Sequence, residues 1–298
     1  MKKKLISFLL SIFCIIVLPI TTFAVDTEIE QKQKEQKTII AKQITISEKE
    51  FANIEKLQIF WARGQVTINK SSDKNIYITE RAYVMPKESE TVSSFIKNDT
   101  LTINDNNSLP YLSIKGSMNT EQLQKLLKEY YNTEYDLEIA LPEKQYKELY
   151  FKTTNADCIL ENHIIDTIIS ETVNGTTKYN NIKANTINSN SINGDIILYS
   201  DVQSQQYHLK SVNGNIDAVF SVFPTSVFTN TVNGNITLTL PENDGFSINK
   251  SKLKTTKNLN SSFSLKDANN KKIYKNGKTV LDIVCINGIV TLKKLENI

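Results

Sequence analysis

At 298 residues, with 35 basic and 32 acidic side chains, the chain has room for one large domain or two small ones. The surplus of +3 resides in Lys2, Lys3 and Lys4. Residues 25–298 carry 32 charges of each sign, which does not support the basic footprint of a nucleic-acid-binding protein. Beyond the apolar head only Cys158 and Cys285 remain, too few for a disulfide scaffold, so a packed core has to supply stability.

The chain opens with a basic head, the apolar run LISFLLSIFCIIVLPI and a small-residue exit at Thr22-Phe23-Ala24. This pattern predicts a signal peptide over residues 1–24, cleaved after Ala24. An uncleaved anchor is the alternative, because about 20 uncharged residues span a bilayer. Either outcome places the remainder outside the cytoplasm, secreted or at the cell surface. Membrane contact is expected only through this segment, if it is retained. Residues 25–50 are polar and charge-mixed and are expected to be a tether.

From residue 51 to 145 the pattern turns to strand. Leu57-Gln58-Ile59, Gln65-Val66-Thr67-Ile68, Ile76-Tyr77-Ile78 and Leu101-Thr102-Ile103 alternate with period two, separated by turn clusters. One helix is expected near 119–132, where Leu123, Leu126, Leu127, Tyr130 and Tyr131 form one face and Asn119 with Gln122 a capping box.

Residues 146–298 are self-similar. An Asn, usually followed by Gly, recurs at Asn155, Asn174-Gly175, Asn193-Gly194, Asn213-Gly214 and Asn233-Gly234, with steps of 19 or 20 residues, and again at Asn287-Gly288. Six residues before the Asn stand Leu149, Ile168, Ile187, Tyr207, Val227 and Leu281. Three after it stand Cys158, Thr177, Ile196, Ile216, Ile236 and Val290. A degenerate earlier copy spans Leu57 to Ile68, with Arg63 in the Asn place. Asn-Gly between apolar runs is normally a hairpin signal. A two-residue hairpin here would set Val212 against Asn215 and Ser211 against Ile216, wasting the buried face. A strand running straight through would instead put Val212, Gly214, Ile216 and Ala218 on one inner face. The column six before the Asn is out of phase with that face, so a corner or bulge has to lie between them.

A unit of 19–20 residues cannot bury its apolar face alone, so neighbours have to stack. The expected fold is all-β: a β-solenoid-like array of stacked repeats behind an N-terminal β region carrying one inserted helix. A β-sandwich with evenly spaced hairpins is the alternative. Ile248 and Leu253 fit one further coil without its Asn-Gly, and Lys254–Lys278 reads as an excursion loop before the last coil.

Chemistry is sparse. His163 and His208 occupy different repeat positions and are expected to be solvated surface residues. There is no nucleophile elbow, phosphate loop, zinc spacing or calcium nonapeptide. Asp157, Asp195 and Asp217 lie near the repeat motif without regular placement, and no carboxylate pair for glycoside chemistry stands out. No catalytic, cofactor-binding or metal-ligating residue is expected. The Asn column is expected to form a structural hydrogen-bonded ladder between coils.

LQIFWARGQVTI, the LEIALP strand followed by TTNADCIL, the serial SVNGNI and TVNGNI units and the closing VLDIVCINGIVTL resemble the bacterial adhesin-like β-repeat domains, over roughly residues 50–298. The resemblance implies a surface or envelope location, a β-solenoid-like fold and no catalytic residues to carry over. The expected function is a non-catalytic, adhesin-like interaction with an extracellular or envelope ligand, protein or glycan, and not with nucleic acid. The alternatives are an enzyme on cell-wall or host polysaccharide and an envelope-stress accessory protein.

Overall fold

The structure is a computed structural model that describes residues 39–83, 85–86, 88, 91–106, 135–200, 206–253 and 259–296. The expected signal segment and the expected helix near 119–132 lie outside the described residues. Strand dominates what is described, with one helical turn at Glu48–Phe51 and a 3-10 turn at Lys250–Lys252.

The repeats stack as rungs, each of two arms. The first rung is Lys56–Lys70 and the second Gln145–Glu161, each one long bent strand. The third is Ile164–Asn174 with Thr177–Asn180, and the fourth Thr186–Asn193 with Ile196–Ser200. The fifth is Gln206–Ser211 with Ile216–Phe220, and the sixth Ser226–Thr231 with Ile236–Leu240. The seventh is Thr279–Cys285 with Val290–Lys294.

Every arm pairs parallel and in register with the same arm of the next rung, so sequence columns become spatial columns. Leu57, Leu149, Ile168, Ile187, Tyr207, Val227 and Leu281 face one another in series along one arm. Val66, Cys158, Thr177, Ile196, Ile216, Ile236 and Val290 do so along the other. All of these are buried, and each large aliphatic among them contributes about 1.5–3 kcal/mol on leaving water. The degenerate copy is the first rung, with Arg63 opposite Asn155. The stack is a β-solenoid-like fold, and it runs unbroken across residues 145 and 146.

The strand does not run straight through Asn-Gly. In the fifth rung it ends at Ser211 and resumes at Ile216, and Val-Asn-Gly-Asn makes a corner between arms. Ser211 points inward and Val212 is 42% exposed, so the phase shift falls at the Asn-Gly itself, between Ser211 and Gly214. The expected face of Val212 with Gly214, Ile216 and Ala218 is therefore corrected: Gly214, Ile216 and Ala218 are buried, and Val212 is outside. The hairpin is absent too, since the two arms pair with neighbouring rungs and not with each other.

Both ends are finished by irregular strands. Before the first rung, Thr100–Asn104 and Tyr135–Leu141 add parallel to its two arms, and Ser93–Lys97 and Ile76–Ala82 add antiparallel beyond them. Ile39–Ile46 pairs with Ile76–Ala82, so the C-terminal part of the expected tether is strand; its Ile44 and Ile46 alternate inward against an otherwise open edge. At the other end Gly245–Asn249 and Leu259–Ser261 form a last partial rung, and Lys266–Ala268 with Lys271–Lys275 make a hairpin against it.

The seventh rung is thus inserted between the sixth and this cap, although the cap precedes it in sequence. The expected excursion loop contains strands because Phe263 and Tyr274 close the end of the core around Phe246, with ring centroids 5.2 and 5.4 Å from its ring. Cys158 and Cys285 are both free and both buried. Cys285 faces inward, since the corner at Asn287 lies after it. Five rungs at about 4.8 Å each separate it from Cys158.

Candidate functional site

The corner carries the repeat's polar signature. Each Asn amide donates to the Asn carbonyl of the preceding rung: Asn174 to Asn155 at 2.5 Å, Asn193 to Asn174 at 2.8 Å, and Asn213 to Asn193 at 2.7 Å. Asn233 donates to Asn213 at 2.7 Å and Asn287 to Asn233 at 2.8 Å, across 54 residues of sequence. The structure brings all six Asn side chains into one exposed ladder.

The glycines at 194, 214, 234 and 288 sit where rungs touch backbone to backbone. A Cβ on Gly194 would lie 1.8 Å from the Gly175 carbonyl oxygen, and on Gly214, Gly234 and Gly288 it would lie 2.1, 2.0 and 1.8 Å from the preceding glycine's. Gly175 has φ +137°, and its Cβ would meet the Ala156 oxygen at 2.3 Å. The crowding partner is the backbone of the previous rung.

Two supporting columns escaped the sequence reading. Two residues before the Asn stand Thr153, Thr172, Ser191, Ser211, Thr231 and Cys285, all buried. The Ser211 and Thr231 hydroxyls each donate at 3.0 Å to the glycine carbonyl of the preceding rung, Gly194 and Gly214. Two residues after the Asn, Asp157, Asp195, Asn215 and Asn235 each accept a backbone N–H from the next rung, at 2.7 to 3.0 Å. A run of Ser and Thr before the Asn was a visible signal. The mixed Asp, Thr and Asn column after it was not, because its role needs only an acceptor oxygen. Asp217 belongs to neither column and is exposed.

Outside the ladder, one residue before each Asn except Asn155, runs an aliphatic ridge of Val173, Ile192, Val212, Val232 and Ile286. Ile192, Val212 and Ile286 are 42%, 42% and 40% exposed. The corner thus shows solvent a line of amides beside a line of methyl groups, both repeating once per rung. Such an edge offers hydrogen-bonding capacity and apolar surface side by side.

Other chemistry-bearing residues are dispersed. His163 is buried, contrary to the surface position expected for it; its Nδ1 meets the Glu161 carbonyl, and burial holds its pKa below the usual imidazole value. It borders a cleft of about 110 Å³ with Lys70, Glu143, Lys144 and Lys183, in which Lys70 and Glu143 pair at 2.9 Å. His208 is half-buried, its ring 5.8 Å from that of Phe228. Glu80 is fully buried and accepts the Val92 N–H at 2.6 Å, and burial raises its pKa. Among the described residues no group of three or more His, Cys, Asp or Glu is placed to hold a metal, and no helix is long and apolar enough to cross a membrane.

No curated protein matches the chain. Among solved structures it is similar to a "putative cell adhesion protein" from Clostridium sporogenes, at 14% identity over 87% of this chain and 100% of that one, with a TM-score of 0.36. It is also similar to a "putative adhesin" from Bacteroides fragilis, at 13% identity over 85% of this chain and 97% of that one, with a TM-score of 0.42. The family model described as Toastrack DUF4097 matches residues 54–217, from just before the first rung into the fifth. That span is more than half of the sequence, and the chain belongs to the Toastrack DUF4097 family.

Proposed function

We propose that the protein is a non-catalytic, exported interaction protein, adhesin-like, that presents the corner ridge to an extracellular or envelope ligand. One observation carries this reading: Ile192, Val212 and Ile286 expose apolar surface in register although the fold does not need them. The core is filled by the columns six before and three after the Asn, and a corner position open to water tolerates polar residues. Aligned exposed methyl groups beside an amide ladder are suited to a partner that offers apolar contact with hydrogen-bonding groups alongside. The acids nearest the ladder, Asp157 and Asp195, are engaged by backbone N–H groups, which supports binding over catalysis.

Export rests on the basic head, apolar run and small-residue exit, and N-terminal sequencing of secreted material tests it: a mature chain starting at Val25 is expected. The binding reading is tested by a glycan and matrix-protein array on residues 25–298. The triple variant Ile192→Ser, Val212→Ser, Ile286→Ser is expected to lose captured ligands while keeping its melting temperature. Unchanged capture by that variant would remove the ridge as the site.

A further inference from the structure

The balanced charge of residues 25–298 conceals a segregation. Residues 245–298 contain eleven lysines and no arginine against Asp267, Asp282 and Glu296, a net +8, so residues 25–244 carry −8. Nine of these lysines lie on described residues of the cap and the inserted seventh rung, against Asp267, Asp282, Glu296 and the adjoining Glu242 and Asp244, so a net +4 is gathered at one end of the stack. Pairing within the cap does not cancel it. Asp267 is shared by Lys250 and Lys272 at 3.3 and 3.0 Å, and Glu242 by Lys275 and Lys294 at 2.7 and 3.3 Å. Lys266, Lys271, Lys278 and Lys293 are exposed and have no acid partner among the described residues.

We infer that this cap is a docking face for a linear polyanion, a polymer with closely repeated phosphate or sulfate groups. Lysine alone supplies the charge, as mobile, hydrated point charges. These suit delocalised attraction to a polyelectrolyte, whereas reading a single headgroup favours the fixed fork of arginine. A bilayer surface calls for apolar anchors among the charges. The cap's Phe246, Phe263 and Tyr274 are buried instead, and the exposed aliphatics of the seventh rung are small and separated, Val280 beside Lys278 and Ile286 and Ile289 flanking the corner at Asn287. A second copy of the chain fits less well, since many acids of the body are already committed. Glu48, Glu55, Asp99, Glu138, Glu143 and Glu171 each pair with a basic residue.

None of the four free lysines belongs to the corner ridge, so the ridge variant is expected to keep polyanion binding. Titration of the protein with long-chain inorganic polyphosphate, followed by fluorescence anisotropy, tests the inference. With four free lysines engaged, affinity is expected to fall roughly 50-fold between about 50 and 200 mM salt, since the log–log slope is about −0.7 per contact. Replacing Lys266, Lys271, Lys278 and Lys293 by Gln should weaken binding at least tenfold and flatten the slope by about 0.7 per lysine removed, while replacing them by Arg should preserve both. Four results would overturn the inference: no binding by the wild type, equal binding by the Gln variant, an equal loss when Lys152, Lys178, Lys210 and Lys183 are replaced instead, or tighter binding to phosphatidylglycerol vesicles than to polyphosphate. Self-association at low salt that disappears in the Gln variant, without polyphosphate binding, would assign the face to a second copy.

Discussion

The middle rungs and the C-terminal cap solve one problem in opposite ways. In rungs three to six each residue has the same neighbour above and below, so one choice per column serves every rung. That is why Asn, Gly and an inward hydroxyl recur with so little variation. In the cap the stacking partner is missing on one side, and the chain covers the open end with a hairpin, three aromatic rings and lysine–acid pairs. In-register hydrogen bonds, mostly between neutral groups, hold the middle, and packing of aromatics with exposed ion pairs holds the end. The end is consequently where charge is free to accumulate without disturbing the stack.

The comparison breaks most readily at Ile216. This side chain is fully buried between Ile196 and Ile236, so Ile216→Asp would place a carboxylate among aliphatics and is expected to cost several kcal/mol, enough to unfold a marginally stable domain. Asn215→Asp keeps the oxygen that accepts the Asn235 N–H and is expected to change stability by less than about 1 kcal/mol. Val212→Ser, on the exposed ridge, should be similarly mild. Thermal melts of the three variants check this, and a severe loss for Val212→Ser would restore the straight-through strand.

Backbone proximity comes next. Gly214→Ala sets a methyl 2.1 Å from the Gly194 oxygen, and relieving it means prising two rungs apart, an expected loss of about 2–4 kcal/mol. Gly277 in the cap has φ +66° and would meet the Ile273 side chain at 2.7 Å, which can rotate. Gly277→Ala is expected to cost only about 1–2 kcal/mol, the left-handed penalty. Equal losses in denaturant titrations would mean that rung spacing relaxes as easily as a surface turn. In the ladder, Asn213→Ala removes two amide bonds and Asn155→Ala one, for expected losses of about 1–2 and 0.5–1 kcal/mol.

The legibility of the fold follows the same division. Columns of Leu149 to Leu281 and Cys158 to Val290 could be read from sequence because each rung repeats its neighbour's environment. The position of the corner could not: Val and Ile before the Asn look like core, and nothing in their hydrophobicity says that four residues turn there and leave them outside. The inward hydroxyls at Ser211 and Thr231 were legible as a Ser/Thr run but opposed by the rule that polar residues face water. They are inside because glycine carbonyls at the rung contacts need donors. The cap was least legible, since Phe246, Phe263 and Tyr274 close the core once and repeat nothing, and the insertion of the seventh rung reverses spatial against sequence order. Ile39–Ile46 was hidden by the charged stretch before it.

The smallest expected effect separates the two regions by their electrostatics. Glu242 lies in the cap beside Lys275 and Lys294 and accepts a hydrogen bond from the Tyr274 hydroxyl, and these contacts, Lys275 foremost, lower its pKa to about 2. A carboxylate whose folded pKa is depressed adds stability that is fully present above its unfolded pKa, near 4.5, and is lost as pH falls toward about 2. The group is exposed, so its contribution is small and salt-screened. Glu242→Gln is expected to lower the melting temperature by roughly 1–2 °C at neutral pH and low salt, with the difference vanishing as pH drops through that window or as salt is raised. Asn213→Ala, which removes neutral amides, should show the same deficit at every pH and salt concentration. If the ladder variant also tracks pH, or the Glu242 variant does not, the cap and the middle rungs are not held by different forces.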